Sequence, residues 1–242
     1  MRRTDAQTLF VAGGIAASLL LLVFVLQYVV PAGRAVTETL PQPDFSLLLP
    51  ASAVLTGTAL EMDELPQPAY IVPFIRNGVA NIALVSWNKE DARYDAGTPL
   101  ARDAGAAVQL NSITSLREER IGSGDPIFVV TGNSGDEAEW TFLVVRGAAG
   151  LTLVQMSTEA NDAKIPAFFR TSSKGAQEGT VLLSFDDANG DSRRDVLAMS
   201  GTYSGVMVWH WEDGALAFDK DLSRLLSMSR SIFPDPPPKK SE

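Results

Sequence analysis

"AYIVPFIRNGVANIALVSW", Ala69 to Trp87, is two apolar runs meeting at Asn77-Gly78. Asn-Gly supplies two adjacent residues tolerant of positive φ, the requirement of a two-residue hairpin turn whose twist matches its flanking strands. The stretch therefore predicts an antiparallel hairpin. Pro73 lies inside the first run and has no N–H to give a ladder, so an edge strand or a bulge is expected there.

The same short β-branched texture continues on both sides. "DPIFVVTG" (125–132), "EWTFLVVRG" (139–147) and "LTLVQM" (151–156) are followed by "GTVLLSF" (179–185), "DVLAMSG" (195–201), "GVMVWHWEDG" (205–214) and "ALAF" (215–218). Gly-bearing turns separate them, and short strands punctuated in this way read as all-β. The expected fold is therefore an all-β antiparallel domain, propeller-like or a sandwich of stacked β-meanders. "DKDLSRLLSMSR" (219–230) has Leu222, Leu225, Leu226 and Met228 near helical spacing, so a short C-terminal helix is expected. Residues 93–120 carry no clear period.

A faint internal repeat runs through these strands. "GDPIFVVTGNSGDEAEWTFLVVRGAAGLTLV" (124–154) can be laid over "RRDVLAMSGTYSGVMVWHWEDGALAF" (193–218), strand for strand. "QPAYIVPFIRNGVANIALVSW" (67–87) matches its first two strands more loosely. A period of roughly 57 to 70 residues suits blades or stacked hairpins, although any two β-meanders share this outline.

Composition limits what the domain does. The chain of 242 residues is 45% hydrophobic, enough for a sizeable core, and carries a net charge of −9 with no basic stripe. Nucleic acid is a poor partner, because phosphate binding rests on clustered Lys and Arg. With no cysteine, disulfides, thiol chemistry and Cys-based zinc sites are excluded. A single histidine, His210, makes a His-rich metal site or a Ser-His-Asp triad hard to assemble; it reads as a hydrogen-bonded structural residue.

"TLFVAGGIAASLLLLVFVLQYVV", Thr8 to Val30, holds no charged residue. About 20 apolar residues cross a bilayer as a helix. Arg2 and Arg3 precede the stretch, which by the positive-inside rule keeps residues 1–7 in the cytoplasm and the bulk of the chain outside. A cleaved signal peptide is the alternative, with "VVPAGRA" as a poor cleavage site. The organisation expected is a cytoplasmic N-terminus at 1–7, a transmembrane helix at 8–30, a Pro-rich linker at 31–43, an extracytoplasmic β domain at 44–232 and a Pro-rich disordered tail at 233–242. This places the protein in the cell (inner) membrane as a single-pass protein, facing a protein or glycan partner in the periplasm or cell envelope.

The densest charge lies at "DDANGDSRRD", residues 186–195, between two strand-like runs. Counting Asp187 as position 1, side-chain oxygens fall at positions 1, 3, 5 and 9, on Asp187, Asn189, Asp191 and Asp195. Calcium takes six to eight oxygen ligands at about 2.3–2.6 Å and fits such a turn; magnesium, strictly octahedral and reluctant to lose water, suits it less. An EF-hand is excluded, because Ser192 and Ala198 stand where Gly and a bidentate Glu are needed. The alternative is a polar turn neutralised by Arg193 and Arg194.

"DANGDSRRDVLAMSG" (187–201) followed by "GVMVWHWEDGALAF" (205–218) resembles the calcium-loop repeats of the FG-GAP/VCBS type, found in integrin-like β-propellers and bacterial surface proteins. The resemblance covers one full copy, about 185–218. It implies a structural Ca²⁺ held by Asp187, Asn189, Asp191, Asp195 and the backbone carbonyl of Arg193. Ser192 departs from the glycine usual at position 6, and a residue with a Cβ is strained there if φ is positive.

Three functions follow as expectations. The first is a membrane-anchored extracytoplasmic binding or scaffold module with a structural calcium site, more a binding protein than an enzyme. The second is a subunit of a cell-envelope complex docking through the transmembrane helix and tail. The third is an envelope-polymer hydrolase using paired carboxylates such as Glu61 with Asp63 or Asp136 with Glu137. "VMVWHWE" (206–212) puts Met207, Trp209 and Trp211 on one strand face and Val206, Val208 and His210 on the other. Packing on both faces is the expected reading, with an aromatic sugar or peptide platform as the alternative. "REER" (117–120) reads as solvated surface.

Overall fold

The computed structural model describes residues 40–62, 65, 67–100, 109–135, 139–147, 150–159, 161–172, 179–200 and 205–232. The expected transmembrane stretch 8–30 and the tail 233–242 lie outside them. Among the described residues no helix is long and apolar enough to cross a membrane.

Strands dominate the compact unit Asp44–Glu242. Its first sheet is five-stranded, built from β1 (Val54–Leu55), β2 (Leu60–Glu61), β3 (Ala69–Arg76), β4 (Val79–Asn88) and β5 (Arg93–Ala96). The hairpin β3–β4 is the one expected. Arg76 pairs with Val79 around Asn77 (φ 53°) and Gly78 (φ 74°), and the ladder continues to Ala69 opposite Ser86. Pro73 does not mark an edge, because β3 is flanked by β4 on one side and by β1 and β2 on the other. β1 pairs with Phe74 and Ile75, and β2 with Tyr70 and Ile71. Pro73 thus faces the break between them, where its missing N–H leaves no ladder bond unmade.

The second sheet has eleven strands. Its first meander is β6 (Ser112–Ile121), β7 (Asp125–Asn133), β8 (Glu139–Gly147) and β9 (Gly150–Leu153). The chain then runs through β10 (Gln155–Thr158), β11 (Asn161–Pro166) and β12 (Phe168–Thr171). A last meander follows, β13 (Val181–Asp186), β14 (Asp195–Ser200), β15 (Val206–Glu212) and β16 (Ala215–Phe218). Both regions compared as a repeat are antiparallel meanders.

β8 organises the middle of this sheet. One edge pairs with β7. The other pairs with β9 through Val144–Gly147 and with β12 through Glu139–Phe142. Between them, Leu143 donates its N–H to Ala167 O (3.1 Å) and accepts from Val154 N (2.9 Å), while Ala167 N donates to Val154 O (2.7 Å). The hairpin β10–β11 therefore leaves β8 at Val154 and returns at Ala167. It docks on β16 in parallel, Gln155 and Met156 opposite Ala215 and Leu216, and β12 pairs in parallel with β13. Since β11 runs into β12 through Ala167 alone, the strand order curls back on itself as a half-barrel.

Alternation on β7 fills two cores from one strand. Phe128 and Val130 join Ile71, Ile82 and Leu84 of the first sheet, so the two sheets pack face to face. Ile127 and Val129 join Phe185, Val196, Trp209 and Leu216 inside the curl. Full burial of each such side chain contributes about 1.5–3 kcal/mol. A third cluster, on the outer face of the first sheet, joins Val72, Phe74, Val85 and Tyr94 to Leu49 and to Phe45 and Leu48 of the short helix α1 (Phe45–Leu48).

The "VMVWHWE" strand is β15, and both its faces are covered. Trp209 is 3% exposed within the curl, and Val206 and Val208 are buried under the C-terminal helix α2 (Lys220–Ile232). Its partner β16 pairs only with Trp209–Glu212. α2 takes over where β16 ends: Ser223 Oγ accepts from Val208 N (2.9 Å), and Ser227 Oγ accepts from Val206 N (2.8 Å). "REER" is a solvated stretch of strand β6, and its charges pair along each face, Arg117 with Glu119 (3.2 Å) and Arg120 with Glu118 (2.8 Å).

Ser223→Ala leaves the buried Val208 N–H without its acceptor, an omission that costs about 1–3 kcal/mol. Chemical denaturation should report that loss, and the Val208 amide should exchange with solvent faster than in the wild type.

Candidate functional site

The acidic turn joins β13 to β14, closed by Asp186 opposite Asp195. Its shape comes from side chains folding back on the backbone, as Asp and Asn do at turns. Asp187 Oδ1 accepts from Gly190 N (2.7 Å) and Asp191 N (3.1 Å), and its Oδ2 accepts from Ser192 N (2.8 Å). Asn189 Oδ1 also accepts from Asp191 N (2.9 Å), and Asp191 Oδ1 accepts from Arg193 N (2.8 Å). The Asn189 amide donates to Asp191 Oδ2 (3.1 Å). The Arg193 N–H, followed by the Asn189 amide, holds the Asp191 carboxyl below its usual range.

Ser192 has φ 67° and Gly190 φ 79°. The position at which the resemblance places a glycine is thus left-handed here, and a residue with a Cβ occupies it at a cost.

Of the four side chains singled out in the sequence, Asp187, Asn189 and Asp191 stay together in the turn. Asp195 turns into the sheet and is 2% exposed. Its Oδ2 accepts from Ala188 N (3.2 Å), and its Oδ1 lies 2.8 Å from His210 Nδ1. Among the described residues no three His, Asp or Glu side chains gather as a metal group. Arg194 does not fold over the turn. Its backbone exchanges hydrogen bonds with Gly122 (2.7 and 3.2 Å), and its guanidinium reaches Glu119 at 3.6 Å. Trp211 lies against Gly122, where an added Cβ would come within 2.8 Å of the indole, and donates to Asp125 Oδ2 (2.7 Å). The β6–β7 hairpin thus clasps the turn from outside.

His210 extends the site to α2. Its Nε2 lies 2.7 Å from Asp219 Oδ2, while Asp219 Oδ1 accepts from Leu222 N (2.8 Å) as the helix N-cap. Ionised carboxylates only accept, so donation from both ring nitrogens requires the imidazolium. Burial disfavours that charged form, but the hydrogen bonds and charges of Asp195 and Asp219 outweigh it and raise the His210 pKa above 6.5. The Leu222 N–H, then His210, lowers that of Asp219. With both nitrogens engaged, His210 offers no free base to a substrate. The relay ties turn, sheet and helix together. Sequence reading missed this pairing, although Val196 opposite Trp209 sets Asp195 opposite His210.

Glu61 is exposed on β2, and Asp63, Asp136 and Glu137 lie outside the described residues. An open groove of about 700 Å³ beside the β4–β5 turn is lined by Trp87 as well as by polar residues such as Gln67 and Glu90, and there the Asn88 amide bridges Asp91 (3.2 Å) and Asp95 (2.8 Å). Set against protein-family models, curated proteins and solved structures, the chain matches none.

Two outcomes are expected from this geometry. His210→Gln should destabilise most between the ordinary carboxylate and imidazole values, about 3.9 and 6.5. A raised histidine pKa gives stability that is complete below the unfolded value and is lost as pH rises through the folded one. The lowered Asp219 gives stability lost as pH falls through its folded value. Melting of wild type and variant across pH should therefore converge at alkaline pH. Ser192→Gly relieves the left-handed serine and should stabilise by about 1 kcal/mol, read as a higher Tm without calcium.

Proposed function

We propose that this chain is a single-pass, membrane-anchored extracytoplasmic binding or scaffold module of the cell envelope, with a structural calcium ion bracing the β13–β14 turn. The supporting observation is the turn itself. It presents carboxylate and amide oxygens on Asp187, Asn189 and Asp191, shaped by backbone N–H groups rather than by guanidinium ions. Carboxylate oxygens accepting a single hydrogen bond retain a lone pair for a hard cation. The calcium reading adds the Arg193 carbonyl and Asp195 to these three. The ion would supply positive charge among clustered carboxylates and no chemistry, and the same turn reaches α2 through Asp195, His210 and Asp219. Two meanders of matching strand order support the finer reading of a propeller-like domain or a sandwich of stacked β-meanders.

A second reading, a subunit of a cell-envelope complex, is favoured by one feature. α2 leaves Leu225 59% and Met228 55% exposed on its outer face, just before the Pro-rich tail. Copurification with a stable membrane partner would favour it over an autonomous module. An envelope-polymer hydrolase would use paired carboxylates such as Glu61 with Asp63 or Asp136 with Glu137, of which only Glu61 lies among the described residues.

An ion that binds only the folded chain stabilises it by about 2.7 kcal/mol at a hundred times its Kd. Calcium should raise Tm and chelator lower it, and Asp191→Ala should abolish the response. A wild type indifferent to both overturns the calcium part of the reading.

A further inference from the structure

The start of the β domain carries a surface unlike the rest of this acidic chain. From Phe45 to Leu60 the sequence holds no charged residue. Phe45, Leu48 and Leu49 turn inward against the first sheet. Leu47 faces out and is 81% exposed; Val54 and Leu55, on the outermost strand β1, are 65% and 42% exposed. Register puts Leu55 opposite Phe74 and Val54 opposite Ile75, so the two side chains flank the edge on opposite faces of the sheet. Ala51 and Ser52, between α1 and β1, are exposed, small and uncharged. Large exposed apolar side chains brought together mark an interaction surface.

We infer that this edge, Leu47 with Val54 and Leu55, rests in the headgroup layer of the membrane that anchors the chain. The inference depends on the single-span reading of Thr8–Val30 given above. Residues 31–39 separate that stretch from the first described residue, and a chain extends by at most about 3.3–3.6 Å per residue. Leu47 is 17 residues beyond Val30 and so stays within roughly 60 Å of the bilayer surface, closer along the chain than any other large exposed apolar side chain among the described residues. Among the described residues nothing pairs with the outer side of β1, which forbids its burial in hydrocarbon, where backbone N–H and C=O groups find no partners. Insertion to about 5–10 Å, among headgroups and water, leaves those groups satisfied. No Lys or Arg lies between Phe45 and Leu60. Arg76, at the end of β3 beside Ile75, is the cation nearest in register. Contact therefore requires no anionic lipid and resists salt.

The chain has no cysteine, so single-cysteine variants of the full chain can each carry one polarity-sensitive fluorophore. Leu22→Cys reports the span, Leu47→Cys and Val54→Cys the edge, and Leu182→Cys an exposed site on β13. All are reconstituted in phosphatidylcholine vesicles with nitroxide-bearing lipid or aqueous iodide as quencher, after circular dichroism establishes that each is folded. Labels at 47 and 54 should be blue-shifted, with nitroxide quenching several-fold stronger and iodide quenching several-fold weaker than at 182. If the label at 22 is quenched by lipid while 47 and 54 behave like 182, the inference is overturned and the single-span reading stands. If the label at 22 is itself open to iodide, that reading falls and takes the inference with it. Labels at 47 and 54 shielded from iodide yet untouched by lipid nitroxide would mean a protein contact, such as a second copy pairing along β1, and would also overturn it.

Discussion

The hydrogen-bonded junction of Leu143, Val154 and Ala167 is the constraint on which the second sheet depends. A strand offers one row of donors and acceptors per edge, and β8 divides its free row between two segments. The division is possible because Val154 and Ala167 bond to Leu143 and to each other where the chain departs and returns. Everything between them is released to pair elsewhere, and β10 pairs with β16. The curl, the enclosed cluster around Trp209 and the placement of the acidic turn all follow from that departure. Trp209 Nε1 and Phe218 N both bond to Ser157 on β10, at 2.8 Å each, so the docked hairpin is held by side chains as well as by its ladder.

Local chemistry was legible in the sequence where it acted alone. Asn77-Gly78 announced its hairpin because two positive φ values leave few other choices of residue. The apolar spacing of 219–230 announced α2, and the mixed apolar and aromatic run of β15 announced burial on both faces. What stayed hidden was set by partners distant in sequence. Pro73 was read as marking an edge strand or a bulge because the break between β1 and β2 opposite it depends on how two short strands align. β6 went unread as a strand because its alternating charges carry no apolar period, though they pair along the strand.

The candidate site divides in the same way. The fold-back of Asp187, Asn189 and Asp191 onto nearby N–H groups is inherent in those residues at that spacing, and the left-handed Ser192 follows from it. The fate of Asp195 is not. Its neighbours in the chain place it in the acidic turn, whereas the ladder between β14 and β15 hands it to His210 and so to the cap of α2. One carboxylate thereby belongs to two systems, a surface turn and an interior relay.

The two serines of α2 also bear on how the protein is made. Until that helix is in place, the first residues of β15 present open hydrogen-bonding groups along a row of apolar side chains, a ready template for another chain. α2 follows every described strand in sequence, so during synthesis the open row persists until the last element emerges. The helix serves as a late-arriving guard against intermolecular strand addition, and chains stopped before Lys220 would lack it.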